Sequence, residues 1–155
     1  GETFKMPEPV IGSDTGIIPG LDGRKMSKSY DNIIPLFAPS AELKKKIMRI
    51  ITDSKLPEEP KDPDTSTIFQ LYKHFATTQE VAAFRDKFVA GGMGYGTAKT
   101  ILFEKIDSAL AAPRAEYERL MANTDLLDKI LADGAARARA VAEQTYARAH
   151  RAMLG

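Results

Sequence analysis

The chain has 155 residues, 43% of them apolar and 28% charged, with a net charge of +1. That is the balance of an ordinary globular protein, long enough for one sizeable core and short for two. Cysteine is absent, which excludes a disulfide framework, a thiolate metal site and a thiol nucleophile. The two histidines, His74 and His150, are far apart in sequence, so neither an imidazole-rich metal site nor a Ser-His-Asp hydrolase is expected. No apolar run approaches the roughly 18 residues of a membrane span. With so little net charge, any affinity for nucleic acid must come from a local patch. The chain opens Gly1-Glu2-Thr3-Phe4 without an initiator Met, as a piece of a longer protein or a tagged chain would.

Proline and glycine are dense through residue 39, at Pro7, Pro9, Gly12, Gly16, Pro19, Gly20, Gly23, Pro35 and Pro39. Such a segment favours turns and extended backbone, with room for a short strand near Val10-Ile11 or Ile17-Ile18. Helical periodicity begins at Ser40, a plausible N-cap, with Leu43, Ile47, Ile50 and Ile51 as the apolar stripe. Lys44, Lys45, Lys46 and Arg49 lie on the other face, either simply solvated or attracting RNA phosphates. Pro57, Pro60 and Pro63 mark an exposed acidic loop. Thr65 or Ser66 can cap a second helix bearing Ile68, Leu71, Tyr72 and Phe75, and Thr78 starts a third with Val81, Phe84 and Phe88 inward. Gly91 to Gly96 reads as a joint, a hinge or helix-start turn rather than a phosphate nest. A long helix from about Thr97 follows, with Phe103, Ile106, Leu110, Tyr117 and Leu120 inward and a kink expected at Pro113. The last helix is expected from about Asp125 to Met153, with Leu127, Leu131, Ala138, Ala142 and Ala149 inward. The fold class is therefore mainly α, a helical bundle preceded by a Pro/Gly-rich loop.

The segment from Gly20 to Asn32 is the sharpest local feature. Lys25 and Lys28 are interleaved with Ser27 and Ser29, downstream of glycines. Two ammonium groups with hydroxyls and backbone N–H donors suit a polyphosphate, although the glycine spacing is not that of a Walker loop. The same residues also suit a plain solvated basic loop. Glycines upstream and few apolar residues predict a mobile segment.

Lys25-Met26-Ser27-Lys28-Ser29 is identical to the signature loop of class I aminoacyl-tRNA synthetases. Further landmarks resemble the bacterial tryptophanyl-tRNA synthetases: Thr52-Asp53-Ser54 after a lysine-rich helix, Gly94-Tyr95-Gly96 opening a long helix, Pro113 followed by Tyr117, and Asp133-Gly134-Ala135 before Ala138-Arg139-Ala140. Tyr30-Asp31-Asn32 departs from the Asp-Pro-Asn of several relatives, which bears on the subgroup only.

The resemblance implies an ATP-dependent aminoacyl-tRNA ligase that joins tryptophan to its tRNA. Residues 1–39 would end an α/β, Rossmann-like nucleotide-binding domain, and residues 40–155 would form the helical anticodon-binding domain. It assigns Ile17, Lys25, Met26, Ser27, Lys28 and Ser29 to ATP, with Lys25 and Lys28 catalytic toward the departing pyrophosphate. Mg2+ would accompany the ATP phosphates, with no ligand and no metal site in this chain. Arg137, Arg148 and Arg151 are candidates for tRNA contact. The family's second signature, of the His-Ile-Gly-His type, is not in this sequence, and the tryptophan pocket would lie upstream. The chain is therefore expected to be a C-terminal half, inactive alone, from a cytoplasmic homodimer with no membrane association. The alternatives are a tyrosyl-tRNA synthetase fragment and a non-catalytic helical RNA-binding module.

Overall fold

The structure is a computed structural model that describes residues 3–12 and 16–154. Five α-helices follow one another: α1 (Ser40–Met48), α2 (Thr67–Tyr72), α3 (Thr78–Ala90), α4 (Tyr95–Met121) and α5 (Thr124–Leu154). A short 3-10 turn at Lys28–Tyr30 precedes them. Among the described residues the strand anticipated near the N-terminus reduces to an isolated antiparallel bridge between Pro19 and Lys25.

The chain divides into two compact units, residues 12–115 and residues 1–11 with 116–155. The first holds the core. Leu43, Ile47 and Ile50 from the α1 region pack with Ile68, Phe69, Leu71 and Tyr72 of α2, Phe84 and Phe88 of α3, and Ala98, Leu102 and Ile106 of α4. Aromatic rings form its centre. Phe69 meets Phe88 edge-on at 5.7 Å, and Phe84 lies 4.9 Å from Phe88 and 4.4 Å from Tyr72. Rings in these tilted arrangements add attraction to the area they bury.

Local chemistry explains most boundaries. Ser66 caps α2 by accepting from the Phe69 N–H, as its sequence position suggested. Thr77 and Glu80 form a reciprocal capping box that starts α3 at Thr78. Gly91 ends α3 at a positive φ of 76° and packs against the Glu58 carbonyl, where a Cβ would collide. Ser40, by contrast, is not the N-cap of α1. Pro39 occupies that position, and the Ser40 hydroxyl donates to Asp107 Oδ2 of α4 at 3.0 Å. Asp107 also receives Arg114 Nη2 at 2.8 Å, so one carboxylate fastens the start of α1 to α4. Beyond the end of α1, Ile50 stays buried but Ile51 does not; its side chain is exposed while its N–H donates to the Leu21 carbonyl at 2.8 Å. Pro113 lies inside α4, which continues to Met121.

The second unit is different. Asn123 caps α5 by accepting from the Leu126 N–H at 3.1 Å. No residue of α5 is buried, and Leu131, expected inward, is exposed. Its apolar periodicity therefore marks a face that the described residues do not cover.

Candidate functional site

The loop from Gly20 to Asn32 belongs to the first unit, and its base is tied tightly. The Gly20 N–H donates to the Arg24 carbonyl at 2.7 Å and the Leu21 N–H to the Asn32 carbonyl at 2.9 Å. Leu21 is buried in the core and Met26 packs against it. Asn32, only 2% exposed, is buried beneath the loop. Its Nδ2 donates to Asp22 Oδ1 at 2.8 Å and to the Lys25 carbonyl at 3.1 Å, and its Oδ1 accepts from the Ser27 N–H at 2.8 Å. The glycine pattern had suggested a loosely held segment. In the structure both ends of the segment are tied, by Leu21 packed in the core and by the hydrogen bonds of the Asn32 amide.

Asp22 organises the near side. Its carboxylate receives the Arg24 backbone N–H at 3.1 Å and the Arg24 Nε at 2.6 Å, besides the Asn32 amide. The hydrogen bond from Asn32, and then those from Arg24, hold the Asp22 carboxyl below the usual carboxylate range. The Arg24 guanidinium also lies 4.7 Å from the centre of the Tyr30 ring. Asp31 closes the turn in the left-handed region at φ 49°.

The signature residues sit on this frame. Lys25 and Lys28 are exposed, and among the described residues neither ammonium is paired with a carboxylate. The hydroxyls of Ser27 and Ser29 are 2.8 Å apart. The loop thus offers two free cations and two adjoining hydroxyls to solvent, a set suited to an anion with several oxygens. Met26 lines an apolar cavity of about 140 Å³ with Ile18, Ile34, Leu36, Leu71, His74, Phe75 and Ile106. Ile17 is exposed just upstream.

The other candidates separate. Two of the α1 lysines have neighbours of their own. Lys46 approaches Asp31 at 3.8 Å, and Lys44 sits 5.5 Å from the Phe103 ring centre. Arg137, Arg148 and Arg151 are all exposed on α5. At 3.6 residues per turn they fall within an arc of about 60°. Arg148 donates to Thr145 Oγ1 at 3.2 Å, and the Tyr146 and His150 rings lie 5.9 Å apart on the same helix.

Sequence reasoning missed two organisers. Asp22 and Asn32 lie inside the quoted segment, but nothing periodic distinguishes them. The loop from Leu56 to Asp64 is likewise not merely solvated. Lys61, 3% exposed, donates to the carbonyls of Leu56 at 2.9 Å, Glu59 at 3.0 Å and Pro57 at 3.3 Å.

Residues 1–111 match the family described as tRNA synthetases class I (W and Y). The chain belongs to this family. Among the curated proteins this synthetase chain is 52% identical over 141 residues to tryptophan–tRNA ligase of Pseudomonas aeruginosa, covering 91% of the chain and 31% of that protein. Tryptophan–tRNA ligase of Xanthomonas axonopodis is also 52% identical, over 139 residues, covering 90% of the chain and 32% of that protein. Among solved structures, tryptophanyl-tRNA synthetase from Campylobacter jejuni complexed with ADP and tryptophan superposes with a TM-score of 0.84 at 34% identity. That match covers 99% of this chain and 48% of the other. The synthetase chain thus spans about a third of the length of the curated relatives it matches. These matches bear out the resemblance read from the loop and the helical landmarks, and the mainly helical fold.

Proposed function

We propose that this chain is the C-terminal part of an enzyme that uses ATP to attach tryptophan to its tRNA. One observation carries the reading. An intact Lys25-Met26-Ser27-Lys28-Ser29 loop, whose two ammonium groups have no carboxylate partner among the described residues, sits in a chain 52% identical over 141 residues to a tryptophan–tRNA ligase. The tryptophan carboxylate attacks the ATP α-phosphate and expels pyrophosphate; a hydroxyl of the tRNA's terminal ribose then attacks the activated carbonyl and AMP leaves. Lys25 and Lys28 receive the charge that grows on the pyrophosphate, and Ser27 and Ser29 donate hydrogen bonds to its oxygens. Mg2+ enters with the ATP as part of the substrate. Ile17 and Met26 flank the nucleotide. In this scheme residues 1–39 close the nucleotide-binding domain and residues 40–155 serve the anticodon end, with Arg137, Arg148 and Arg151 toward RNA phosphates. The enzyme works as a homodimer in the cytoplasm; no helix among the described residues is long and apolar enough to cross a membrane.

Amino-acid-dependent exchange of pyrophosphate into ATP tests the reading. The complete enzyme carrying this chain exchanges with tryptophan and not with tyrosine, and the chain alone does not exchange. Exchange with tyrosine, or robust exchange by the isolated chain, contradicts it.

A further inference from the structure

The main chain that bears the signature lysines is gripped along both edges. On one edge the Met26 N–H donates to the Ile18 carbonyl at 2.8 Å, and Lys25 pairs with Pro19 as an antiparallel bridge. On the other edge the side-chain amide of Asn32 stands in for a neighbouring peptide. It donates to the Lys25 carbonyl and accepts from the Ser27 N–H, the two groups on either side of Met26. Its remaining N–H goes to Asp22. Both donors and the acceptor of the amide are therefore used, and its orientation is fixed. Gly20 makes room for it: a Cβ there would collide with Cγ and Nδ2 of the Asn32 side chain.

We propose that Asn32 is a positioning residue for Lys25 and Lys28. It holds residues 25–27 extended and so sets the separation at which the two ammonium groups meet a polyphosphate. This rests on reading the loop as the ATP loop. The argument is one of preorganisation. An ammonium stabilises developing charge best when no reorganisation is needed at the moment of reaction. Without the amide, water can satisfy Asp22, Lys25 and Ser27, and Leu21 and Met26 still hold the loop on the core. The lysines then remain present but are no longer set. Asn32→Asp keeps the size and the acceptor but turns a double donor into a carboxylate facing Asp22 and the Lys25 carbonyl.

The test is single-turnover activation of tryptophan by the complete enzyme carrying this chain, with KM for ATP and for tryptophan and the thermal midpoint measured alongside. Asn32→Ala and Asn32→Asp each slow activation by about tenfold to a hundredfold, as small misplacement of catalytic groups does. The KM for tryptophan stays within about twofold, because tryptophan binds elsewhere. Adding Asp22→Asn to Asn32→Asp restores the hydrogen bond between the two side chains and recovers part of the rate. Asn32→Asp carries the test where Asn32→Ala does not fold. A lowered thermal midpoint with an unchanged activation rate overturns the positioning role. Lys28→Ala is the control arm. If it slows activation and the Asn32 variants do not, the positioning role alone falls; if it too leaves the rate unchanged, the ATP reading of the loop falls and this proposal with it.

Discussion

The Tyr95 hydroxyl donates a 2.7 Å hydrogen bond to Asp53 Oδ1, joining two sequence landmarks that lie 42 positions apart. Asp53 belongs to the Thr52-Asp53-Ser54 turn after α1, and Tyr95 opens α4. Asp53 also accepts from the Lys55 N–H at 3.0 Å. These two bonds, that from Lys55 first, hold its carboxyl below the usual carboxylate range. Burial and the same Asp53 contact push the Tyr95 phenol upward.

Tyr95→Phe removes the donor and keeps the ring. Asp53 retains Lys55 and is exposed to water, so the expected loss is at most about 1 kcal/mol. Urea unfolding of wild type and variant measures it, and titration of Asp53 by NMR shows its pKa moving back toward the ordinary value.

Lys61→Met is more damaging. Three carbonyls lose their shared donor, and the ammonium that lies 5.2 Å from the Tyr95 ring centre is lost with it. Losing hydrogen bonds from a charged donor costs about 1.5–3 kcal/mol. The Leu56–Asp64 loop opens locally, which hydrogen exchange reads as faster exchange at the Lys61 N–H, bonded in the wild type to the Phe88 carbonyl at 2.8 Å.

Glu80 supplies a pH signature. The Lys105 ammonium at 2.6 Å, followed by the Thr77 N–H and hydroxyl, lowers its carboxyl to about 2. A carboxylate whose pKa is lower in the folded state stabilises the fold above its unfolded pKa and loses that contribution as pH falls through the folded value. Glu80→Gln is therefore less stable than wild type at neutral pH, and the gap closes from about pH 4.5 down to about pH 2. Thermal unfolding of the pair across that range measures it; a gap independent of pH contradicts the assignment.

Periodicity made the first unit legible. Leu43, Ile47, Ile68, Leu71, Phe84, Phe88 and Ile106 all recur at helical spacing, and all are buried. The cap at Ser66 follows from a side chain that can reach the first turn, whereas the Thr77 cap of α3 was not read from the sequence. Three features escaped for physical reasons. Ser40 was drawn to a carboxylate 67 positions away, a contact no local rule contains. Asn32 and Lys61 are buried polar groups inside loops, where burial is set by tertiary partners rather than by period. On α5 the spacing of Leu127, Leu131 and Ala138 defines a face, but spacing does not say what covers it.

The pentapeptide was legible as a motif, but its support was not. The residues that place Lys25 and Lys28 are Asp22, Arg24 and Asn32, which make no pattern along the chain and converge only when the loop folds back on itself.

The most direct test of the account is the single-turnover rate of tryptophan activation by the complete enzyme with and without Lys28→Ala. On the proposed reading, negative charge builds on pyrophosphate as the α–β bond breaks, and the Lys28 ammonium would stabilise that transition state more than bound ATP. The expected loss is about a hundredfold or more, with tryptophan affinity nearly unchanged. Lys28→Arg recovers only part of it, since a flat fork replaces a compact charge, and Ser29→Ala costs less than Lys28→Ala. Rates for wild type and Lys28→Ala within about threefold of each other, under 1 kcal/mol by transition-state arithmetic, contradict the role given to this lysine.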